Sequence, residues 1–313
     1  DFLRTLAEDV QISDMGTVTG WRRCGKPDAP VLLLEAHIDE IGLMVTGVDD
    51  GGFLRVAPCG GVDTRVLAAT DVVVYGDQPY PGVFGSTPPH LSGDADELPT
   101  AEERGIDVGM SREEVQRHIP LGSVVGFRPN FAPLLGSRVS SKALDDRAGV
   151  EVVLRCLELL REETLNCDIA VMFAAQEELG CRGSAPATFA LRPDAAIAVD
   201  VSFGYTPDAD RRECGVLGSG PMIGIAPTLD EPMTRLLEQL AEREEISFQR
   251  EVMGGKTGTD ADVMGITGEG VRMALLSIPL RYMHTPVETA DMQDVENTAR
   301  LMAAFVKEGG ALL

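Results

Sequence analysis

The sequence predicts an α/β sandwich carrying an inserted β-rich domain. Three observations lead there: four short and nearly unbroken apolar runs, amphipathic helical patterns between them, and a middle stretch where helix signals almost vanish. The runs cover residues 31–34, 169–175, 195–201 and 273–278. Each has the length and continuous apolarity of a strand buried on both faces, as in a sheet covered by helices.

The helical patterns follow in order. Over residues 147–163, Val150, Val153, Leu154, Leu157 and Leu160 fall on one face. Asp230 is placed to cap a helix whose inner stripe is Met233, Leu236, Leu237 and Leu240. Asp294 is expected to cap another, with Val295, Ala299, Met302, Phe305 and Val306 inward and Gly309-Gly310 as its stop. Strand and helix alternating in this way make an α/β sandwich. Between about Met44 and Pro133 the texture changes to short strand candidates at 53–57, 66–75, 82–84 and 123–127, broken by Gly, Pro and Asp. One helix signal stands there, the capping box of Ser111 and Glu114, and the acidic stretch 92–103 reads as a solvated, mobile loop. The expected division is therefore 1–43 and 137–313 for the α/β domain and 44–136 for the insert.

With 313 residues, the chain has room for one large domain or two ordinary ones and can bury roughly three quarters of its unfolded surface. Fifty acidic side chains against 27 basic ones set a formal charge of −23. That field opposes nucleic-acid backbones and anionic membrane surfaces alike, so neither is an expected partner. Six scattered cysteines without a C-x-x-C pair read as reduced thiols of a cytoplasmic protein. The chain begins at Asp1-Phe2 without Met, which leaves room for residues upstream.

Chemistry gathers where the apolar runs end. The first run enters Glu35-Ala36-His37-Ile38-Asp39-Glu40, the second Gln176-Glu177-Glu178, and the third reaches Asp200. The fourth is followed by Tyr282-Met283-His284-Thr285-Pro286, and Leu144-Asp145-Asp146-Arg147 opens the first long helix. Ligands of open α/β sheets sit outside the carboxyl ends of the strands. Two histidines and several carboxylates delivered there suit zinc, cobalt or manganese. Taken singly, Asp146 or Asp200 could be no more than a helix cap, whereas paired acids after an apolar strand cost desolvation unless a cation or a reaction uses them. His90 and His118 lie in the insert and are assigned no role. The glycines at 254–258 lack the spacing of a phosphate loop and read as a flexible turn near the site. Ser86, Ser140, Ser141 and Ser184 have no G-x-S-x-G setting, which leaves a serine hydrolase little support.

The segments E-A-H-I-D-E-I-G-L-M-V (35–45), K-A-L-D-D-R-A-G (142–149), Q-E-E-L-G-C-R-G (176–183), A-V-D-V (198–201) and R-Y-M-H-T-P-V-E (281–288) resemble the glutamyl, or deblocking, aminopeptidases. That family is known as dinuclear-metal exopeptidases forming hollow tetrahedral dodecamers. The resemblance spans nearly the whole chain, including G-T-D-A (258–261) and P-P-H-L (88–91). It implies a three-layer α/β/α sandwich of zinc-exopeptidase type with a mixed sheet, and an insert that is a small barrel-like domain for assembly and gating. It implies two divalent ions per subunit, zinc or cobalt foremost, and peptides as substrates of an oligomeric aminopeptidase (dimer or dodecamer). Residue by residue, it makes Asp145 the carboxylate bridging two metals, with His37 and Asp200 completing one site and Glu178 and His284 the other. Glu177 becomes the general base and acid, and Asp39 the group that holds the His37 ring. Another dinuclear hydrolase, a carboxypeptidase or deacylase, is the runner-up, together with the glucanase reading sometimes attached to this family. The chain departs from the family at Thr17, at 226–231 and at Lys256-Thr257, and lacks the family's usual first helix, so side-chain specificity and assembly are the least constrained properties.

Overall fold

The computed structural model describes residues 1–88, 90 and 100–309. An eight-stranded mixed sheet runs through the α/β part in the order Glu8–Ile12, Val18–Arg22, Asp168–Ala174, Val31–His37, Ala195–Phe203, Arg272–Leu280, Met222–Ile225, Gln249–Val252. The four central strands are mutually parallel and hold the four apolar runs. Their side chains alternate between two cores, as the twofold period of a strand requires. Leu32, Leu34, Ile169 and Ile197 face the helices Leu144–Leu159, Glu231–Arg243 and Met292–Gly309. Leu33, Ala170, Met172, Ala196 and Leu275 face Ser184–Leu191 and Ala261–Met264. Helices on both sides of a mixed sheet make the three-layer sandwich expected from the resemblance.

The middle of the chain closes a six-stranded barrel from Gly42–Val48, Leu54–Cys59, Ile106–Asp107, Pro79–Phe84, Asp71–Tyr75 and Val124–Phe127. Its separate core includes Leu43, Val56, Val74, Phe84 and Phe127. A three-stranded sheet of Ala132–Pro133, Arg138–Ser141 and Glu288–Asp291 then leads the chain back into the sandwich. Among the described residues no helix is long and apolar enough to cross a membrane.

Several expectations need correction. The strand expected over 66–75 begins only at Asp71, because Asp63 caps a 3-10 turn through Val66. The acidic stretch 92–103 lies outside the described residues up to 99, and its tail is helix Ala101–Arg104, closed by a Thr100–Glu103 capping box. Asp230 does cap its helix, accepting the Met233 N–H. Asp294 does not: it is fully buried and accepts the Gly218 and Gly220 N–H groups at 2.7 Å, while Asp291 takes the Gln293 N–H. Of the expected Gly309-Gly310 stop, Gly310 lies outside the described residues, as do Pro89 and Leu91 of the P-P-H-L segment.

Candidate metal centre

Because the four central strands are parallel, their carboxyl ends share one edge of the sheet, and each ends in a polar residue or a loop of them. His37 is the last residue of its strand and is 2% exposed. Its Nε2 lies 2.9 Å from Asp145 Oδ1 and 4.0 Å from Asp200 Oδ1. Asp145 enters the long helix with non-helical backbone, across a cis peptide to Asp146. Its other oxygen, Oδ2, lies 3.2 Å from His284 Nε2, which is 3.4 Å from Glu178 Oε1. Two donor groups result, His37–Asp145–Asp200 and Asp145–Glu178–His284, each with ligand atoms within 4.8 Å of one another.

The surrounding residues hold these side chains through the backbone. Asp39 accepts the Glu177 and Glu178 N–H groups at 3.0 and 3.3 Å, and its Oδ1 stands 3.6 Å from His37 Nδ1. Asp146 takes the His37 N–H with one oxygen and, as a local helix cap, the Gly149 N–H with the other. Asp200 caps no helix; it accepts the Val201 N–H. Glu288, 1% exposed, accepts the N–H groups of both Asp145 and His284, at 3.2 and 3.1 Å. The sequence reading assigned Glu288 no role, nor Glu35 and Asp260, a buried acid pair beneath the site with Ser184 hydrogen-bonded to Asp260 at 2.5 Å. An acid directly after an apolar run was the available signal for Glu35.

So many acids around two imidazoles shift both histidines and the aspartates Asp145, Asp146 and Asp200. Burial would push His37 down, but hydrogen bonds to Asp145 and Asp39 and the charges of Asp200 and Asp146 carry it well above the ordinary imidazole value. His284 rises to about 10 through its hydrogen bonds to Asp145 and Glu178. Asp145 goes down, since its hydrogen bonds to His284 and His37 outweigh its burial. Burial, together with neighbouring carboxylates, pushes Asp200 and Asp146 up. The upward shift of both histidines beside the lowered Asp145 marks an excess of negative charge of the kind a cation balances. The donor set therefore fits divalent metal: oxygen and imidazole nitrogen donors, an excess of buried negative charge, and a buried Glu178 Oε1 whose polar neighbour is His284 Nε2 at 3.4 Å.

Glu177 stands apart from both groups yet lines the same cavity of about 720 Å³, together with His37, Asp145, Glu178, Asp200 and His284. Burial lifts its carboxyl to about 7, and the Cys181 thiol points at it from 3.4 Å. The turn 254–258 reaches the cavity with Lys256, Thr257 and Gly258, and among the described residues Lys256 is the single Lys or Arg in the lining. His118 pairs with Asp77 on the barrel, and neither it nor His90 lines the cavity.

This architecture has known counterparts. A lysyl aminopeptidase of Pyrococcus furiosus is 37% identical over 98% of this chain and 89% of its own length. An aminopeptidase from the archaeon Desulfurococcus kamchatkensis superposes with a TM-score of 0.91 at 36% identity, covering 98% of this chain and 87% of that one. The Pyrococcus horikoshii TET1 peptidase, whose structure is described as assembling into a tetrahedron or a large octahedral shell, reaches a TM-score of 0.84 at 30% identity, covering 98% and 91%. The family model of the M42 glutamyl aminopeptidases matches residues 16–301. On fold, sequence and site together, this chain belongs to the M42 glutamyl aminopeptidase family.

Proposed function

We propose that the chain is a metal-dependent aminopeptidase that releases N-terminal residues from peptides, with two divalent ions and Glu177 as the proton carrier. The observation that carries this reading is the sharing of Asp145: one of its oxygens faces His37 and Asp200, the other His284 and Glu178, and Glu177 opens onto the same cavity. His37 and Asp200 would hold one ion, Glu178 and His284 the other, and Asp145 both. When bound, such ions supply charge stabilisation and make a water acidic enough to lose its proton near neutral pH. Glu177, with its carboxyl lifted to about 7, is matched to taking that proton as the water attacks the first peptide carbonyl. It then returns the proton to the leaving amine. Asp39 acts through its neighbours, holding the His37 ring and the backbone of Glu177 and Glu178. The cavity's excess of carboxylates favours a cationic peptide N-terminus.

Glu177→Gln keeps size and hydrogen bonding but cannot accept a proton. It should retain two ions by elemental analysis while turnover on aminoacyl anilides falls by about 10²–10⁴-fold. Loss of metal, or near-normal turnover with both ions bound, overturns the assignment. Peptides blocked at one end or the other separate this activity from a carboxypeptidase. Chelator sensitivity separates it from a glucanase, which needs two carboxylates flanking a sugar and no metal.

We also propose that the chain self-associates through residues 44–136. This span leaves apolar side chains in solvent, among them Leu135 (98% exposed), Leu121 and Phe131 (68% each), and the P. horikoshii relative assembles. Light scattering should find a dimer or larger; a clean monomer at micromolar concentration ends the idea. The six unpaired cysteines are consistent with a reducing, cytoplasmic setting.

A further inference from the structure

The turn that joins helix Ser184–Leu191 to strand Ala195–Phe203 faces the turn before strand Arg272–Leu280 across a cavity of about 540 Å³. Both strands start here, so the cavity lies at the amino ends of the parallel strands, on the opposite edge of the sheet from the metal centre. Asp194 stands six positions before Asp200, roughly 20 Å along an extended chain. The lining brings opposite charges together without pairing them. Among the described residues Arg192 makes no ion pair or side-chain hydrogen bond, and neither does Glu269. Asp194 commits Oδ2 to the Val31 N–H at 2.8 Å, which leaves Oδ1 for another donor. Thr188 lines the same cavity at 1% exposure, and its hydroxyl has no hydrogen-bond partner among the described residues. It stands one helical turn before Arg192, so the two donors share a face. Phe189 and Val271 add apolar surface.

We propose that this cavity binds a free α-amino acid with an aliphatic side chain, as a second site separate from the metal centre. The ligand's carboxylate would accept hydrogen bonds from Arg192 and from the Thr188 hydroxyl. Its ammonium would meet Asp194 Oδ1 and Glu269, near the carboxyl end of helix Ser184–Leu191, whose last carbonyls favour positive charge. Its side chain would cover Phe189 and Val271. An inorganic anion would face two carboxylates, and a simple amine would face the guanidinium, so only a zwitterion is matched at both ends. Arg192, Asp194 and Glu269 are open to solvent and weak singly, so discrimination comes from using them together. The helix that carries Thr188 starts at Ser184, which is hydrogen-bonded to Asp260 beneath the metal centre, so the two sites share a rigid element. The ligand class follows from the lining and stands whether or not the chain is an aminopeptidase.

The test is calorimetric titration of the metal-loaded full chain with L-leucine, with isocaproate, which lacks the ammonium, and with isoamylamine, which lacks the carboxylate. Arg192→Gln should weaken leucine binding at this site by about 10- to 100-fold, the worth of a hydrogen bond to a charged group. The same variant should leave kcat/KM on aminoacyl anilides unchanged, because Arg192 is remote from the metal centre. Leucine held in the metal-lined cavity would be indifferent to Arg192 and is told apart in that way. At the Arg192-dependent site, leucine should bind at least about 10-fold more tightly than either fragment. Leucine binding that is unchanged in Arg192→Gln, or a fragment that competes there as well as leucine does, overturns the proposal while leaving an aminopeptidase. Arg192-dependent leucine binding in a chain with no turnover on any anilide supports the site and overturns the aminopeptidase reading.

Discussion

His37, Asp145 and Asp200 are all buried, and His37 keeps 3% of its side chain exposed, whereas His284 in the second donor group keeps 31%. The two groups also rest on different supports. The first is made from strand ends and a helix start of the sandwich, backed by Asp39 and Asp146. The second leans on the barrel. His284 Nδ1 is 2.9 Å from the Gly61 carbonyl oxygen, in the turn after strand Leu54–Cys59. A Cβ on Gly61 would come within 2.6 Å of His284 Nδ1, and one on Gly60 within 3.1 Å of Glu178 Oε2. The difference teaches that the sandwich alone can organise one donor group, while the other depends on the inserted barrel standing where it does. If the two proposed ions bind, the enclosed group would hold its ion more tightly than the open one.

The largest effect that could break this comparison comes from the histidines. His37→Ala and His284→Ala should each lower metal content by about one ion, with affinity losses beyond the 10- to 100-fold seen for damage to supporting residues. Under graded chelation, His284→Ala should keep its remaining ion longer than His37→Ala does. Elemental analysis after dialysis reads the difference, and both ions at full occupancy in His284→Ala would contradict the assignment of separate groups. A smaller effect should follow from Gly61→Ala, which touches no proposed ligand directly bound in the enclosed group. The new methyl must displace the His284 ring, so one ion should weaken by about 10-fold while the other holds. Equal weakening of both ions would show that the barrel supports the whole site.

The same contrast explains what was legible in the sequence. The central strands were readable because burial on both faces leaves an unbroken apolar signature, and their ends named His37, Glu177, Glu178, Asp200 and His284. The strands Glu8–Ile12 and Val18–Arg22 escaped notice: they lie at the sheet's margin with mostly exposed or half-exposed side chains, so neither alternation nor continuous apolarity marks them. Glu288 escaped for another reason. It serves Asp145 across 143 positions of chain, through backbone N–H groups that have no sequence spacing. Asp294 carried a cap-like signature yet turns toward Gly218 and Gly220, again a tertiary partner overriding a local rule. Gly60-Gly61 is placed against the site only by the barrel fold, through a contact far away in sequence.

The smallest expected effect is on stability as a function of pH, and it tests whether protons stand in for cations at both groups. His284 rises from 6.5 to about 10, and His37 also rises. A group raised on folding contributes stability that is fully present below its unfolded pKa and lost as pH climbs through its folded one. The raised acids act in the same direction: Glu177 at about 7 and Glu288 at about 8 resist ionisation in the folded chain, so they too cost stability as pH rises. Asp145, held down by the two histidines, would lose its contribution only far below this window. The metal-free chain should therefore lose thermal stability steadily between about pH 5 and pH 10, by on the order of a few degrees in Tm. Adding zinc should flatten the profile, because the ion replaces the protons and reverses the sign for its ligands. Binding should also release protons, measurable as buffer-dependent heat by calorimetry. His284→Ala, without metal, should keep part of the slope through the enclosed His37. A metal-free chain that grows more stable from pH 7 to pH 10 would mean that the histidines do not carry the compensating charge.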